Sequence, residues 1–354
     1  MTRSLPPMAP IPMLSIPEKR TTPTILPKSV DRISGSDHDL ACVLVNRRGL
    51  ENPPSSLSLR RDLVVSYYNS LSLLAPHFPI SLERCRIGSL SFTWHDAFGG
   101  SAATQGSIHF EVAAAAFNVA AIYSQIGAGE ERGSGDGIRK ACNAFQCAAG
   151  ALKFLEGHVR EKVLAEGTTV DLSADCVQLL EKVMLAQAQE CYFEKAVELQ
   201  KTPGICSKVA RKVGLYYEEA YEALTSPPLD RHLDKSWVSH VQLKAALFKA
   251  EACYWYSMEL HGKGEIGEEI ARLKIGLSDL SKAKKVAKGV ASTLIRAASR
   301  LEENMRCVLD KADRENKQIY YMRIPDASSL VEIPEASLAN STPMDEILDA
   351  NKKS

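Results

Sequence analysis

Along most of the chain, apolar residues recur at three- and four-residue steps, the spacing that gathers them on one face of a helix. This stripe predicts helices from Asp37 to Arg48 and from Leu57 to Leu74, the second stopped before Pro76. Nearly everything from Ser107 to Lys317 reads the same way. Ile108–Ile126 is alanine-rich, with Phe110, Ala114, Phe117, Ala121 and Ile122 spaced for burial. Ile138–Leu155 is a second small-residue helix, whose alanines let neighbours approach closely. Val163–Val170 reads as a connection, and Asp171–Asp175 offers Asp and Ser caps to the central helix. Lys182–Leu224 predicts two helices back to back. One arm carries Val183, Met184, Ala188, Cys191, Tyr192 and Ala196; Thr202-Pro203-Gly204 breaks it; the other carries Ile205, Val209, Val213, Tyr216, Ala220 and Leu224. After Ser226-Pro227-Pro228 come Trp237–Leu260, Ile266–Val286 and Val290–Lys317.

Period-two alternation is rare. Ile87–Trp94 is the convincing strand, and Pro12–Pro17 a short proline-bracketed edge that could pair with it, together with another short strand, in a small sheet. Residues 1–12 hold four prolines and read as a flexible tail, 13–350 as one domain, and 351–354 as a polar end. From Tyr320 the periodicity stops, and Ile324-Pro325, Ile333-Pro334 and Pro343 predict an extended strap over 320–350, laid back on the helices through Leu330, Val331 and Ile333, with a last turn at Met344–Leu348. The Lys249–Lys282 pair is comparable to a tetratricopeptide hairpin, though too irregular for a true array. The predicted fold is mostly α, a solenoid of such hairpins with a small β-sheet near the N-terminus.

Composition narrows the function. Lys+Arg and Asp+Glu are both 43, so a general nucleic-acid footprint is absent. Nine scattered cysteines without a CxxC pair fit reduced, buried thiols of a cytoplasmic protein better than disulfides or a zinc site. No apolar run reaches the length of a membrane span.

Candidate chemistry is sparse. The glycines of 127–137 fit no phosphate-loop pattern and follow no strand. Adjacent His95 and Asp96 do not face each other and lack a nucleophile; the histidines show no paired metal spacing. Cys42 and Arg48 have the Cys-x5-Arg spacing of a phosphatase loop, but no glycine between them bends a cradle. Cys142 and Cys147 suit packing, and Glu268-Glu269 the dipole of a helix start. The reading is therefore a non-enzyme with no cofactor, metal or small-molecule substrate. Two surfaces stand out. Tyr192, Ile205 and Val209 could form one apolar patch if their helices pack antiparallel, or could fill the core between them. Lys282, Lys284, Lys285 and Lys288, with Arg296 and Arg300 beyond, are either a solvated face or a site of attraction to an anionic membrane.

Several segments together resemble the Bro-one domain family, the module at the N-terminus of Alix-type ESCRT adaptors, in its plant form. They are FTWHDAF (92–98), AFNVAAIYSQI (116–126), FQCAAGALKFL (145–155), MLAQAQECYFEKA (184–196), GEEIARL (267–273), YYMRIPDASSL (320–330) and NSTPMDEILDA (340–350). The likeness runs roughly from Leu14 to Ala350. It implies a boomerang-shaped helical solenoid whose apolar groove takes the C-terminal amphipathic helix of an ESCRT-III filament subunit, at endosomes and in multivesicular-body sorting. The family's groove positions fall on Tyr192, Ile205 and Val209, and its rim cations on Arg139 and Lys195. The groove aromatic is Tyr rather than Phe, the second aliphatic is the smaller Val, and an acidic rim position falls on Gly135 beside Asp136. Alix-type proteins continue into a second helical domain and a proline-rich tail that this chain does not include, so it is read as a short member or a piece of a longer one. The alternative reading is a helical scaffold for another peptide or for an anionic membrane.

Overall fold

The computed structural model describes residues 10–22, 37–75, 91–163 and 167–352. Helices α1 (Asp37–Glu51) and α2 (Leu57–Leu74) precede an antiparallel pair, β1 (Phe92–His95) and β2 (Ala102–Gln105). Then come α3 (Ile108–Gly129), α4 (Gly135–Lys162), α5 (Ala174–Glu198), α6 (Pro203–Thr225), α7 (Lys235–Lys263), α8 (Ile266–Val286), α9 (Ser292–Glu315) and α10 (Met344–Lys352). From α1 to α9 each helix packs chiefly on its neighbours in the chain, as stacked helical hairpins do. Helix α10 returns instead to α4 and α2. The mostly helical solenoid and small sheet expected from the periodicity are both present.

Helix α3, against expectation, has the length and hydropathy of a membrane span, but it is the core helix of the stack and is mostly buried in protein. Its alanines let α2 and α4 close around it. Its one early charge, Glu111, is fully buried and accepts hydrogen bonds from Arg47, Tyr67 and the Trp94 indole (2.6 Å). Burial pushes this carboxyl up, against the pull of the Arg47 guanidinium.

The N-terminal segment departs from expectation. Pro12–Pro17 is not a strand: Pro12 and Pro17 lack ladder donors, and the chain there is held by side chains of the helices it crosses. Leu14 exchanges both backbone bonds with the Gln187 amide (2.6 and 3.0 Å), and Lys19 does the same with Asn118 (2.7 and 3.0 Å). Ile16 donates to Ser124 and accepts from Gln125. The third edge of the sheet is Thr21, which bridges Trp94. Ile11 belongs to the core and its carbonyl accepts from Arg132, so the ordered chain begins before residue 13. Residues 1–9, like 87–90 of the predicted strand, lie outside the described residues.

Asp171 is no helix cap. It is buried against Lys19 (2.5 Å), while Ser173 caps α5 by accepting from the Cys176 amide. Asp96 accepts from the Phe98 and Gly99 amides (2.9 Å each), closing a turn. Glu269 does more than face a helix dipole, since it is buried beside the His261 Nδ1 at 3.0 Å. Cys142 and Cys147 are buried, and burial pushes both thiols up to about 11.

The C-terminal strap returns across the helix row. Arg272 of α8 donates to the Val331 carbonyl, Ala336 donates to Lys208 O of α6 (3.1 Å), and Thr342 to Gln146 O of α4 (3.0 Å). It docks through Ile333, Ala339 and Met344, whereas Val331, expected to be buried, is 81% exposed. The strap lies so close to α4 that a side chain at Gly150 would strike the Thr342 carbonyl. Asn351 sits in α10 and donates to the Tyr123 hydroxyl (2.7 Å).

Candidate functional site: an apolar groove along the α5–α6 hairpin

The α5–α6 hairpin turns at Leu199–Thr202, with Gln200 in the left-handed region (φ 51°) and Pro203 starting α6. Tyr192 and Val209 each lie six residues from the turn end of their helices, so antiparallel packing sets them at one level, with Ile205 a turn nearer the end. The three expected groove residues differ in exposure. Ile205 is 46% exposed, Tyr192 is half-buried against the core, and Val209 is buried at 2%. Val209 is thus a floor residue, and Ile205 offers the freest apolar surface of the three.

The strap adds what the pattern of the helices did not show. Gln146 Oε1 on α4 accepts from both the Tyr192 hydroxyl (3.4 Å) and the Asn340 amide (3.3 Å). One turn before Tyr192, Gln189 Oε1 accepts from the Leu338 and Ala339 amides (2.9 Å each), and its Nε2 donates to the Ala336 carbonyl (2.8 Å). These bonds run the strap beside Tyr192 and leave Leu338 43% exposed there. Leu338 is therefore a further exposed aliphatic on this face, missed because an isolated Leu in an aperiodic segment carries no signal of its own. Leu199, at the turn, is also exposed at 54%.

Of the two cations, Arg139 lies near the start of α4 and Lys195 in the last turn of α5, its ammonium reaching Gly135 of α4. Arg139 is 72% exposed and pairs with Asp136 at 2.7 Å; Lys195 is 40% exposed and pairs with Glu198 at 2.6 Å. The two pairs meet at Gly135, where an added side chain would strike the Lys195 ammonium. Asp136, the next residue, supplies a carboxylate beside the glycine that stands where the family pattern has an acid. Both pairs are solvent-facing, so each cation can exchange its carboxylate for a ligand's at little cost. Burial raises the Tyr192 hydroxyl, keeping it a neutral donor.

The α5–α6 hairpin and the strap beside it thus present a half-exposed aromatic, two exposed aliphatics and loosely paired cations on an α-solenoid of stacked hairpins. The chain belongs to the BRO1-like domain family, whose match covers residues 13–354. It is 47% identical over 320 residues to the vacuolar-sorting protein BRO1 of Arabidopsis thaliana, covering 90% of this chain and 38% of that protein. It is 32% identical over 346 residues to the ALG-2 interacting protein X of Dictyostelium discoideum, covering 95% of this chain and 43% of the relative. The chain thus spans well under half the length of these relatives. Among solved structures, an ALIX BRO1–CHMP4C complex matches with a TM-score of 0.82 at 26% identity, covering 94% of this chain and 96% of that one.

Proposed function

We propose that this chain is a non-enzymatic adaptor module that takes the C-terminal amphipathic helix of an ESCRT-III filament subunit over Ile205, Tyr192 and Leu338, at endosomes in vacuolar sorting. The observation that carries the reading is Ile205, a large aliphatic left 46% exposed on the same hairpin as the half-buried Tyr192. The likeness to an ALIX BRO1 chain in complex with CHMP4C supports the class of ligand, and the sorting relatives support the setting. The groups that hold out chemistry in the sequence serve the fold instead: Asp96 closes a turn, Glu269 meets His261, and the Cys142 and Cys147 thiols are buried.

A helix laying two or three leucine-type side chains over this surface gains several kcal/mol at about 25 cal/mol per Å2, before ordering costs. That leaves roughly micromolar affinity, which a polymer multiplies through avidity. The test is titration of a fluorescent peptide of that helix into wild type and Ile205→Asp. Saturable binding to wild type with at least tenfold loss in the variant is expected. Equal binding by two equally folded proteins would remove the groove from the function.

A further inference from the structure

The end of the α8–α9 hairpin has no part in the groove and carries a charge pattern of its own. Lys282 and Lys285 lie one turn apart on α8, Lys288 follows in the connection, and Arg296 and Arg300 lie one turn apart on α9. All are exposed. Lys282 is 75% exposed with only a loose approach to Asp279 at 3.8 Å, and the others have no acidic partner among the described residues. Lys284 differs: it is turned inward against Glu302 and is withdrawn from the surface. Gly289, with φ +70°, folds the connection against Ser236 at the start of α7, which brings the exposed Lys235 to the same end. At the tip, between Lys285 and Lys288, Val286 is 53% exposed.

Cations in the last turn of α8 favour its dipole, but Lys288, Arg296 and Arg300 lie beyond its reach. In a chain of zero net charge this is a local excess. A hairpin end is convex, so it offers a peptide no groove to lie in, but it meets a plane well. An aliphatic tip ringed by lysines fits the boundary between headgroups and acyl chains.

We propose that the α8–α9 end docks on an anionic lipid bilayer, with Lys282, Lys285, Lys288, Arg296 and Arg300 at the headgroups and Val286 dipping below them. The surface is separate from the groove, so the two can fail independently. The test is flotation of the whole chain with vesicles of phosphatidylcholine, with and without phosphatidylserine. Wild type is expected to bind only the phosphatidylserine vesicles, and less as salt rises. Each well-placed cation changes partition roughly fivefold, so the triple neutralisation of Lys282, Lys285 and Lys288 to Gln is expected to weaken it about a hundredfold, with peptide binding at the groove unchanged. Val286→Asn is expected to weaken vesicle binding while leaving binding to soluble polyglutamate unchanged. Failure of wild type to float with the anionic vesicles, or flotation of the triple variant like wild type, would overturn the proposal. So would tight polyglutamate binding combined with indifference of the vesicles to Val286→Asn, which would mark a site for acidic protein segments.

Discussion

Two successive turns of α5 do opposite work. Gln187, Gln189 and Glu190 are fully buried. Gln187 holds the N-terminal segment through both backbone groups of Leu14, Gln189 holds the C-terminal strap through three bonds, and Glu190 meets Lys244 (2.5 and 2.7 Å) and the Tyr217 hydroxyl (3.1 Å). Within the next turn Tyr192 and Lys195 are partly exposed, Tyr192 bonding Gln146 of α4 and Lys195 pairing with Glu198. The recognisable motif is thus a clamp where both ends of the chain and a buried ion pair converge. The groove beside it is built from ordinary half-exposed residues. Specific-looking polar letters belong to the fold, and the proposed function rests on plain apolar ones.

The sharpest way to break the clamp alone is Lys244→Met. Lys244 is completely enclosed, and desolvation lowers its pKa against the pull of Glu190. Removing it strands a buried carboxylate, so about 3–5 kcal/mol of stability should be lost in urea unfolding. A loss under about 1 kcal/mol would mean that Glu190 protonates or rehydrates freely, and that the pair matters little.

A second buried acid lies beneath the groove helix. Glu251 on α7 is enclosed, receives one hydrogen bond from the Trp255 indole (3.1 Å), and desolvation pushes its carboxyl up to about 7. The folded protein therefore holds this proton more tightly than the unfolded chain does. The resulting stability is fully present below about pH 4.5 and is lost as pH rises through about 7, a change on the order of 3 kcal/mol. The difference in stability between wild type and Glu251→Gln, followed by urea melts between those pH values, should carry this slope. A flat difference would show that Glu251 is hydrated in solution.

Gln189→Ala comes next. It leaves Ala336 O and the Leu338 and Ala339 amides without their partner, of which the Ala339 amide is buried, costing about 2 kcal/mol. Hydrogen exchange should quicken at Leu338 and Ala339 but not at Leu14, which Gln187 holds. Peptide binding should weaken too, because the strap carries Leu338. Intact peptide affinity with a loosened strap would remove Leu338 from the groove.

The helices were legible because their cores repeat every third or fourth residue; Leu57–Leu74 and Ile266–Val286 appear with the predicted bounds. The straps were legible only in part. Prolines announced irregular chain, but which side chains would satisfy its backbone was not written nearby: Gln187 and Leu14 are 173 positions apart. The same distance hid the sheet edge at Thr21, since register between remote segments leaves no local periodicity. In the groove, the hairpin residues followed from spacing and resemblance. Spacing left open whether Val209 fills the core, which it does, and it gave no sign of Leu338, whose place depends on where the strap lies.

The smallest expected effect concerns the rim. Arg139 is 72% exposed, and Asp136 keeps Lys140 as a partner (2.9 Å) when Arg139 is truncated, so Arg139→Ala should leave the melting temperature unchanged. In the proposed groove its part would be to steer and orient an approaching helix, which acts on association and is screened by salt. Stopped-flow measurement with the same fluorescent peptide should show the association rate falling roughly threefold at low ionic strength and converging with wild type at high salt, with the dissociation rate unmoved. A faster dissociation instead would place Arg139 in a desolvated ion pair with the ligand. The groove would then extend from the α5–α6 hairpin onto α4 as a contact surface, and the division between an apolar floor and a merely steering rim would have to be redrawn.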